Sequence, residues 1–506
     1  MISATQKTQK ILGTAAWAAS ILLLILSVKD NGIWIDEAQT FIIIKTSPRM
    51  FLNCVLFRGD AVSGMPLFFL LEFFWCRLFG FSEFAMRSIN LLVIPLLMIG
   101  AGKLLRAKGL PQWMILFFAF NPVLLYYMNE ARPYAALFTC GLWCFLFLFR
   151  GGENGMSRRD AALFFLCFWT GCAFHMMFVF MSVVYLGVLA WMRCKGTLRF
   201  REHFIVWAWY VPAFLVLAVH YLHFILSAPE VNAEKPQAMM SILQIIYYFS
   251  GLSGLGWSRN ALRSLNLEMT LRIISGTSLF MLSALTLAVC CIRRKIVLNV
   301  RIVLPAVCIL GSLIVFIAAN IVLKTRFWER HIVYLLPGCI LVVLMACYDL
   351  WSPPRAPVAR TASCCFLALS ILSGINIISL DYYQKDDYRG AVRIARSFHA
   401  DHILFQGSSI SFGYYGLKGC WAETEAKNGD GPLEGDVNIT PATQEMMEIL
   451  APRLNGRSVL ILSEREEFDK GGFYRRSSNM GGIRTETFLI FEVDSIAEDW
   501  LAKINK

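Results

Sequence analysis

Charged residues are scarce in this chain. Only 16% of its 506 residues are Asp, Glu, Lys or Arg, whereas 57% are hydrophobic and the mean hydropathy is +0.57. Soluble domains carry about 25% charged residues and cannot hide this much apolar surface from water. The composition therefore excludes a water-soluble globular protein.

Motifs for metals and nucleotides are also lacking. The sequence has no Walker loop, no G-x-G-x-x-G after a strand, no H-x-x-x-H or H-E-x-x-H, and no C-x-x-C. Its 15 cysteines lie mostly inside apolar runs, as buried hydrophobes do. We therefore predict no disulfide framework, no dedicated transition-metal site and no cofactor, and a requirement for a divalent cation is not favoured.

The charge that is present is unevenly distributed. The net charge is +12, yet residues 382–506 hold 15 basic and 19 acidic residues, which leaves 32 basic and 16 acidic residues for 1–381. The basic part is also the apolar part. It suits a membrane with anionic lipid or ligands that carry phosphate, and scattered cations argue against nucleic acid as a partner.

Long apolar runs predict the membrane spans, because a helix needs about 20 such residues to cross the hydrocarbon. The first run follows Lys7 and Lys10 and has no cleavage site, which indicates a retained anchor with the N-terminus inside. The runs lie at 11–28, 89–105, 113–128, 134–149, 161–191, 204–226, 271–291, 302–323, 332–350 and 362–380.

The run 161–191 has basic residues at both ends, so the positive-inside rule makes it cross twice, with His175 at the outer turn. The prediction is an α-helical polytopic protein of about eleven spans in the cytoplasmic membrane. An odd number of spans puts the C-terminus outside.

Two domains are expected: a membrane domain over 1–380 and a small extracytoplasmic α/β domain over 381–506. In the second, helix signals cover 388–398, and strand signals cover 402–405, 458–462 and 488–493. The first outer loop, 29–87, contains an interfacial helix near 65–81. The outer loop 227–269 is rich in Gly and Pro, which predicts mobility.

Two adjacent carboxylates, Asp36 and Glu37, follow the first span directly. A carboxylate that is partly desolvated at a membrane surface gains proton affinity and can serve as a general base. The alternative is the solvated end of a loop.

Glu130 and Arg132 stand where the chain turns between two apolar runs, and Tyr134 follows them. Each charge is costly to bury unless it meets a partner or water. They are candidates for a functional site. Alternatively, the two side chains pair with each other across the turn, or they extend to the membrane interface.

A third group combines cations with aromatic residues just before the run at 332–350, and consists of Lys324, Arg326, Arg330 and His331. Such cations can hold a phosphate, Arg with a bidentate fork and Lys as a point charge. The alternative is ordinary anchoring at the headgroup level. His175 taken alone fits a packed core histidine.

The order of several phrases resembles the GT-C glycosyltransferases, in particular the bacterial branch of protein O-mannosyltransferases and lipid A aminoarabinose transferases. The phrases are Asp36-Glu37, Met65-Pro66-Leu67 with residues 79–87, the segment 121–134, Phe174-His175, the segment 330–337 and the segment 387–391. Each of these motifs alone is a weak indication of the family, and the order of the motifs along the chain is a more specific one.

The resemblance implies an enzyme that moves a sugar from a polyprenyl-phosphate carrier to a glycan, lipid or protein acceptor outside the membrane, with inversion. By that resemblance Asp36, or Glu37 beside it, is the base, Glu130 the acid of the second loop, and Arg330 a phosphate ligand. Arg132, Lys324, Arg326 and His331 are further donor-binding candidates, and His175 and Tyr134 are additional site candidates.

The chain departs from the family in two places. Gly64 precedes Met65-Pro66 where the family often has His-Pro-Pro, and neither of the first two outer loops contains a D-x-D. The second departure disfavours a metal requirement. The alternative function is a flippase for lipid-linked glycans, but such transporters place ionisable residues in the middle of spans, whereas these acids lie at the outer boundary.

Overall fold

A computed structural model describes most of the membrane part and separate stretches of the C-terminal part. The described residues are 4–57, 62–151, 156–198, 200–227, 238–256, 267–293, 295–296, 299–322, 328–351, 357–380, 388–397, 402–406, 409–417, 420–421, 437–438, 459–464, 483–484 and 488–493.

The N-terminal half of the membrane part is built from eleven helices. They are α1 (Ala4–Leu26), α2 (Ile35–Ile44), α3 (Pro48–Phe57), α4 (Pro66–Phe79), α5 (Glu83–Ser88), α6 (Val93–Ala107), α7 (Leu116–Ala119), α8 (Pro122–Met128), α9 (Tyr134–Gly151), α10 (Arg158–Phe174) and α11 (Met181–Cys194). Short 3₁₀ helices precede three of them, at Ile89–Leu92, Gln112–Ile115 and Met176–Phe180.

The described residues that follow contain six more helices: α12 (Phe200–Ser227), α13 (Ala238–Phe249), α14 (Leu267–Arg293), α15 (Val300–Val322), α16 (Leu336–Trp351) and α17 (Pro357–Ser379). Two further 3₁₀ helices lie at Leu252–Gly254 and Glu329–Leu335. Seven stretches of the described chain are long and apolar enough to cross a membrane: Thr8–Leu26, Glu83–Ala107, Met176–Cys194, Phe204–Phe224, Val300–Val322, Glu329–Trp351 and Pro357–Ser379. The predicted fold class, a helical polytopic membrane protein, is confirmed.

Helix α9 lies at the centre of the membrane part. Nearly all of its side chains are buried, and it packs against α6, α10, α16 and the 3₁₀ helix Glu329–Leu335. Gly141 permits the closest of these contacts, because a Cβ at this position would collide with the carbonyl oxygen of Tyr334. A small residue in α9 thus fixes the position of the segment that carries Arg330 and His331.

The predicted span 113–128 is interrupted. It consists of a 3₁₀ turn, α7 and α8, and α8 starts afresh at Pro122. Asn121 has an extended backbone, and its side-chain oxygen accepts hydrogen bonds from the N–H groups of Val123 and Leu124. Pro122 has no N–H to donate to the preceding turn, so a capped restart replaces a continuous helix.

The chain doubles back at His175, as the basic residues at both ends of the run 161–191 predict. Phe164 of α10 stacks on Tyr185 of α11, with ring centroids 4.7 Å apart. These residues lie eleven positions before and ten positions after His175, which is the spacing of an antiparallel pair.

The glycines of the segment 251–256 serve close packing. Gly254 donates its N–H to the hydroxyl of Ser373 at 3.0 Å, and that hydroxyl donates to the carbonyl of Gly251 at 2.7 Å. A Cβ at Gly254 would collide with the backbone of Ser373. The part of the loop 227–269 that the structure describes is therefore docked on α17, and the mobility predicted for that loop also concerned residues 228–237 and 257–266, which lie outside the described residues.

The chain divides into two compact units. The first contains the described residues up to Lys29 and from Ile43 to Leu380, apart from the gaps given above. The second combines Asp30–Ile42 with the described residues from Tyr388 onward.

The second unit contains a six-stranded sheet with the order β2-β3-β1-β4-β6-β5. Its strands are β1 (His402–Gln406), β2 (Cys420–Trp421), β3 (Val437–Asn438), β4 (Val459–Glu464), β5 (Ile483–Arg484) and β6 (Phe488–Val493). Strand β1 pairs in parallel with β3 and β4, and β6 runs antiparallel to β4 and β5.

Two helices accompany this sheet, α18 (Tyr388–Ser397) and α19 (Ser409–Tyr414). Helix α18 buries one side only, formed by Tyr388, Ala391, Val392 and Ala395. This side packs with Ile403 and Phe405 of β1 in a small hydrophobic core.

Candidate functional site

The turn between α8 and α9 is the first component of the candidate site, and its backbone is firmly held. The side-chain amide of Asn90 donates to the carbonyls of Met128, at 3.1 Å, and Glu130, at 2.7 Å. The N–H of Lys29 donates to the side-chain oxygen of Asn129 at 2.9 Å. These bonds tie the turn to the start of α6 and to the end of α1, so its side chains project from a rigid support.

Glu130 and Arg132 are both buried in this turn, with 0% and 3% of their surface exposed. The N–H of Arg132 donates to the carbonyl of Glu130 at 2.8 Å. The Arg132 guanidinium carbon lies 5.8 Å from the centre of the Phe69 ring on α4. Burial of two charged groups side by side costs several kcal/mol per ion unless each is compensated, so the arrangement does not fit an exposed turn clip.

The 3₁₀ helix Glu329–Leu335 supplies the second component. Its first residue, Glu329, is buried and accepts a hydrogen bond from the Tyr127 hydroxyl at 3.2 Å. The guanidinium carbon of Arg330 lies 6.0 Å from the Tyr134 ring centre and 5.9 Å from that of Trp328. The cation is thus within reach of cation–π attraction to two aromatic rings.

His175, at the turn between α10 and α11, is the third component. The backbone N–H of Met177 donates to its Nδ1 at 3.1 Å, so in the neutral ring the proton resides on Nε2. The turn itself is anchored, because the N–H of Met176 donates to the carbonyl of Gly64 at 3.0 Å. His175 therefore presents a fixed N–H donor.

Aromatic contacts join the three components. The ring centroids of Tyr127 and Tyr134 lie 4.7 Å apart, those of Tyr134 and His175 6.3 Å, and those of His175 and His331 5.2 Å. We call the site candidates that meet here the polar cluster: Glu130, Arg132, Tyr134, His175, Arg330 and His331. They come from three segments that are far apart in the sequence. Lys324 and Arg326, predicted to join them, lie outside the described residues.

The surroundings of His175 disfavour its charged form. Burial, together with the positive charges of Arg330 and Arg132, lowers the pKa of His175 from 6.5 to about 3. This histidine is therefore neutral at physiological pH. Guanidinium groups and a neutral N–H donor beside a carboxylate form an arrangement that can hold an anion and orient a polar ligand next to it.

Asp36 and Glu37 belong to the second compact unit and lie in the first turn of α2. Glu37 is buried, and its Oε2 accepts a hydrogen bond from the N–H of Trp34 at 3.4 Å. Asp36 is half-buried. Carboxylates are favoured at this end of a helix because the first N–H groups have no partner within the helix. Their predicted role as base stays a prediction.

Three residues that support the polar cluster are absent from the predicted site: Asn90, Tyr127 and Glu329. Tyr127 lies inside the segment 121–134, which carries the family resemblance, and Glu329 directly precedes the segment 330–337. Asn90 gave a weaker signal, a single amide at the start of an apolar run. Its position was informative, because a polar side chain at the start of an apolar helix needs a hydrogen-bond partner in a neighbouring segment.

Metal ligands do not gather in the described part of the chain, where no three His, Cys, Asp or Glu side chains are placed to hold an ion. The fourteen cysteines whose side chains the structure describes are free thiols.

Comparison with known proteins returns solved structures only. No family model and no curated protein sequence matches the chain. The structure is similar to the crystal structure of ArnT from Cupriavidus metallidurans bound to undecaprenyl phosphate, with a TM-score of 0.49 and 11% identity over 98% of this chain and 99% of that one. It is similar to the apo state of the same protein with a TM-score of 0.49 and 12% identity, over 96% and 98% of the two chains.

At this level of similarity the comparison assigns no role to any residue.

Proposed function

We propose that this protein is a GT-C-type glycosyltransferase of the cytoplasmic membrane. It transfers a sugar from a polyprenyl-phosphate carrier to an acceptor on the outer face of that membrane. The observation that carries this proposal is that Arg132, buried with Glu130 in one turn, and the half-buried Arg330 both lie beside a neutral His175.

The cations of the polar cluster are suited to a phosphate. Arg132 and Arg330 come from segments that are far apart in the sequence, and the positive charges of both act on His175. The planar guanidinium of Arg330 lies near the rings of Tyr134 and Trp328, and a guanidinium matches two phosphate oxygens in bidentate geometry. A polyprenyl phosphate reaches such a site from the lipid with its charge at the headgroup level.

His175 contributes a donor that does not vary with pH in the physiological range. Because its ring is neutral and its Nδ1 is already an acceptor, Nε2–H can donate to a phosphate oxygen. An imidazolium ion at this position would be repelled by the two arginines. The cluster thus combines two permanent charges with one neutral donor.

The reaction is a single displacement with inversion. An acceptor hydroxyl or amine attacks the anomeric carbon, and its proton passes to a carboxylate, for which the sequence resemblance names Asp36 or Glu37. The bond between the anomeric carbon and the phosphate oxygen breaks, and its electron pair leaves with polyprenyl phosphate. Arg330, Arg132 and His331 stabilise the negative charge that grows on this leaving group, and Glu130 orients the sugar or the acceptor.

Product mass tests this proposal. Purified protein in detergent is mixed with a set of polyprenyl-phosphate sugars and with hydroxyl- and amine-bearing acceptors, and the products are identified by mass spectrometry. The expected result is an acceptor heavier by one sugar residue and an equal amount of free polyprenyl phosphate. A flippase would leave every carrier intact and move it across a vesicle bilayer, and that outcome would replace the proposed function.

The variants Arg330→Gln and Arg330→Lys refine the test. Removal of the charge is expected to lower the transfer rate roughly 100-fold, as loss of one stabilising donor typically does. Lysine keeps the positive charge but lacks the bidentate geometry of a guanidinium, so the Arg330→Lys variant should have an intermediate transfer rate. Arg77→Gln serves as the control, because Arg77 binds the carbonyls of Ile44 and Thr46 away from the polar cluster.

A further inference from the structure

A second polar cavity lies at the opposite end of α6 from the polar cluster. It has a volume of about 730 Å³ and lies where the start of α1 meets the end of α6 and the turn that follows α6. Asn90, which holds the Glu130 turn, and Arg106, which lines the cavity, are separated by 16 residues, or about 24 Å at 1.5 Å per helical residue. This distance approaches the hydrocarbon thickness, so the two sites belong to opposite membrane surfaces.

The charge of this cavity has one sign. Of the described residues that line it, Lys10 and Arg106 are cationic and none is a carboxylate. Gln9, Gln112, Thr14 and Tyr348 add polar groups, and the indoles of Trp17 and Trp113 form walls. Cations with amide and hydroxyl groups in one concave site are suited to a phosphate and the polyol attached to it.

The walls of the cavity are built by close helix packing. A Cβ at Gly102 of α6 would lie 2.5 Å from the Trp17 ring, so only glycine lets α1 approach this closely. Gln112 donates its side-chain N–H to the carbonyl of Gly102 at 3.3 Å. Trp113 packs on Trp351 with ring centroids 5.6 Å apart. The cavity is therefore formed by packed helices. It differs in this respect from mobile side chains that merely lie at the membrane interface.

Apolar surface adjoins the cavity directly. Ile11 and Leu12 follow Lys10 on α1 and expose 60% and 52% of their surface. In a membrane these side chains meet acyl chains, while Lys10 and Arg106 lie at the headgroup level. A ligand in this site would thus have an anionic head beside an apolar tail.

We propose that this cavity binds the phosphate-bearing headgroup of an anionic phospholipid in the leaflet on the side of the N-terminus. The predicted topology makes this the cytoplasmic leaflet, whose anionic surface attracts basic side chains. The site is separate from the glycosyltransferase site, and neither proposal depends on the other.

Native mass spectrometry of the full chain with added phosphatidylglycerol tests the proposal. The wild-type protein should retain one phosphatidylglycerol more tightly than phosphatidylcholine. Lys10→Gln combined with Arg106→Gln should weaken retention of that lipid at least tenfold, since each basic residue at an anionic surface contributes about a factor of five. Both side chains are exposed, so the double variant should fold.

The matched control is Arg193→Gln combined with Lys195→Gln. These cations are exposed at the end of α11, and Lys195 lies 4.9 Å from the Trp191 ring, so they represent ordinary interfacial anchoring. Equal losses of lipid in both double variants would overturn the proposal, because charge alone would then explain binding.

Two further measurements address the shape of the cavity and the source of the ligand. Gly13→Leu fills the cavity without changing its charge and should also reduce lipid retention, because a Cβ at Gly13 already lies 3.3 Å from Gln112. Unchanged retention in this variant contradicts binding inside the cavity. Displacement of the lipid by millimolar inorganic phosphate or glycerol phosphate would mean that the site takes a soluble phosphate compound, and would overturn the lipid assignment.

Discussion

At the scale of single residues, the account depends on Glu130 more than on any other side chain of the membrane unit. Its carboxylate is fully buried, and Asn90 fixes its backbone. We predict that Glu130→Gln, which keeps the size of the side chain, lowers the sugar-transfer rate roughly 100-fold, because a misplaced reactant costs about that much. Initial rates with saturating carrier measure this effect.

Glu83→Gln is the control for this substitution. Glu83 lies in the first turn of α5, in the same outer loop region, and is only half-buried. Its loss should leave the transfer rate within a factor of two. Full activity of the Glu130→Gln protein would remove Glu130 from the mechanism.

The pKa of His175 gives a prediction about stability. The folded state holds this pKa near 3, whereas the unfolded chain has 6.5. The unfolded state therefore binds a proton that the folded state rejects, and stability is lost as pH falls from about 6.5 toward 3. The loss at pH 5 is on the order of 2 kcal/mol, from 1.4 kcal/mol per pH unit.

His175→Gln should remove much of this dependence. Thermal unfolding of both proteins in detergent, measured between pH 8 and pH 4.5, compares the two. The wild-type Tm should fall more steeply below pH 6.5 than that of the variant. Parallel curves would show that His175 is not buried as the structure describes.

The sequence predicts the members of the polar cluster better than it predicts their supports. Glu130, Arg132 and Arg330 stand out because a charge beside an apolar run needs a reason. Tyr127 and Glu329 lie in or beside the segments that carry the resemblance, yet their hydrogen bond joins positions 202 apart and depends on how α8 and the segment 329–335 meet. Such pairings follow from packing, which one sequence does not specify.

At the scale of secondary-structure elements, Gly141 of α9 controls where the segment 329–335 lies. We predict that Gly141→Ala destabilises the protein by about 1–3 kcal/mol, the usual cost of overpacking. Because the displaced segment carries Arg330 and His331, this variant should also raise the KM for the carrier. Thermal unfolding and steady-state kinetics test both effects.

Gly311→Ala in α15 is the matched control. A Cβ at Gly311 meets nothing within 4 Å, so alanine should keep the Tm or raise it slightly through its better helix propensity. Equal effects of the two substitutions would contradict the close contact between α9 and Tyr334.

Elements were predicted unevenly from the sequence. The fold-back at His175 was inferred correctly because basic residues on both sides leave only a double crossing. The interruption at Asn121 was missed, since hydropathy averages over residues 113–128 and does not register a proline that restarts a helix. Helix α4 was anticipated near 65–81 and spans Pro66–Phe79, where the proline provides a natural start.

At the scale of the whole molecule, the predicted topology places the N-terminus inside and residues after α17 outside. Alkaline phosphatase, which folds only in an oxidising compartment, reports this directly. We predict an active enzyme when it is fused after Leu380 and an inactive one when it is fused after Gly196. The opposite pattern would put the polar cluster on the cytoplasmic side and contradict an extracytoplasmic transfer.

The polar cluster of this membrane protein is proposed to support sugar transfer from a lipid phosphate. The most direct measurement quantifies free polyprenyl phosphate and glycosylated acceptor together, for the wild-type, Glu130→Gln and Arg330→Gln proteins. The account predicts equal amounts of both products from the wild-type protein and a fall of both, roughly 100-fold, in each variant. Carrier that stays intact with every acceptor, or transfer that proceeds unchanged in both variants, would contradict it.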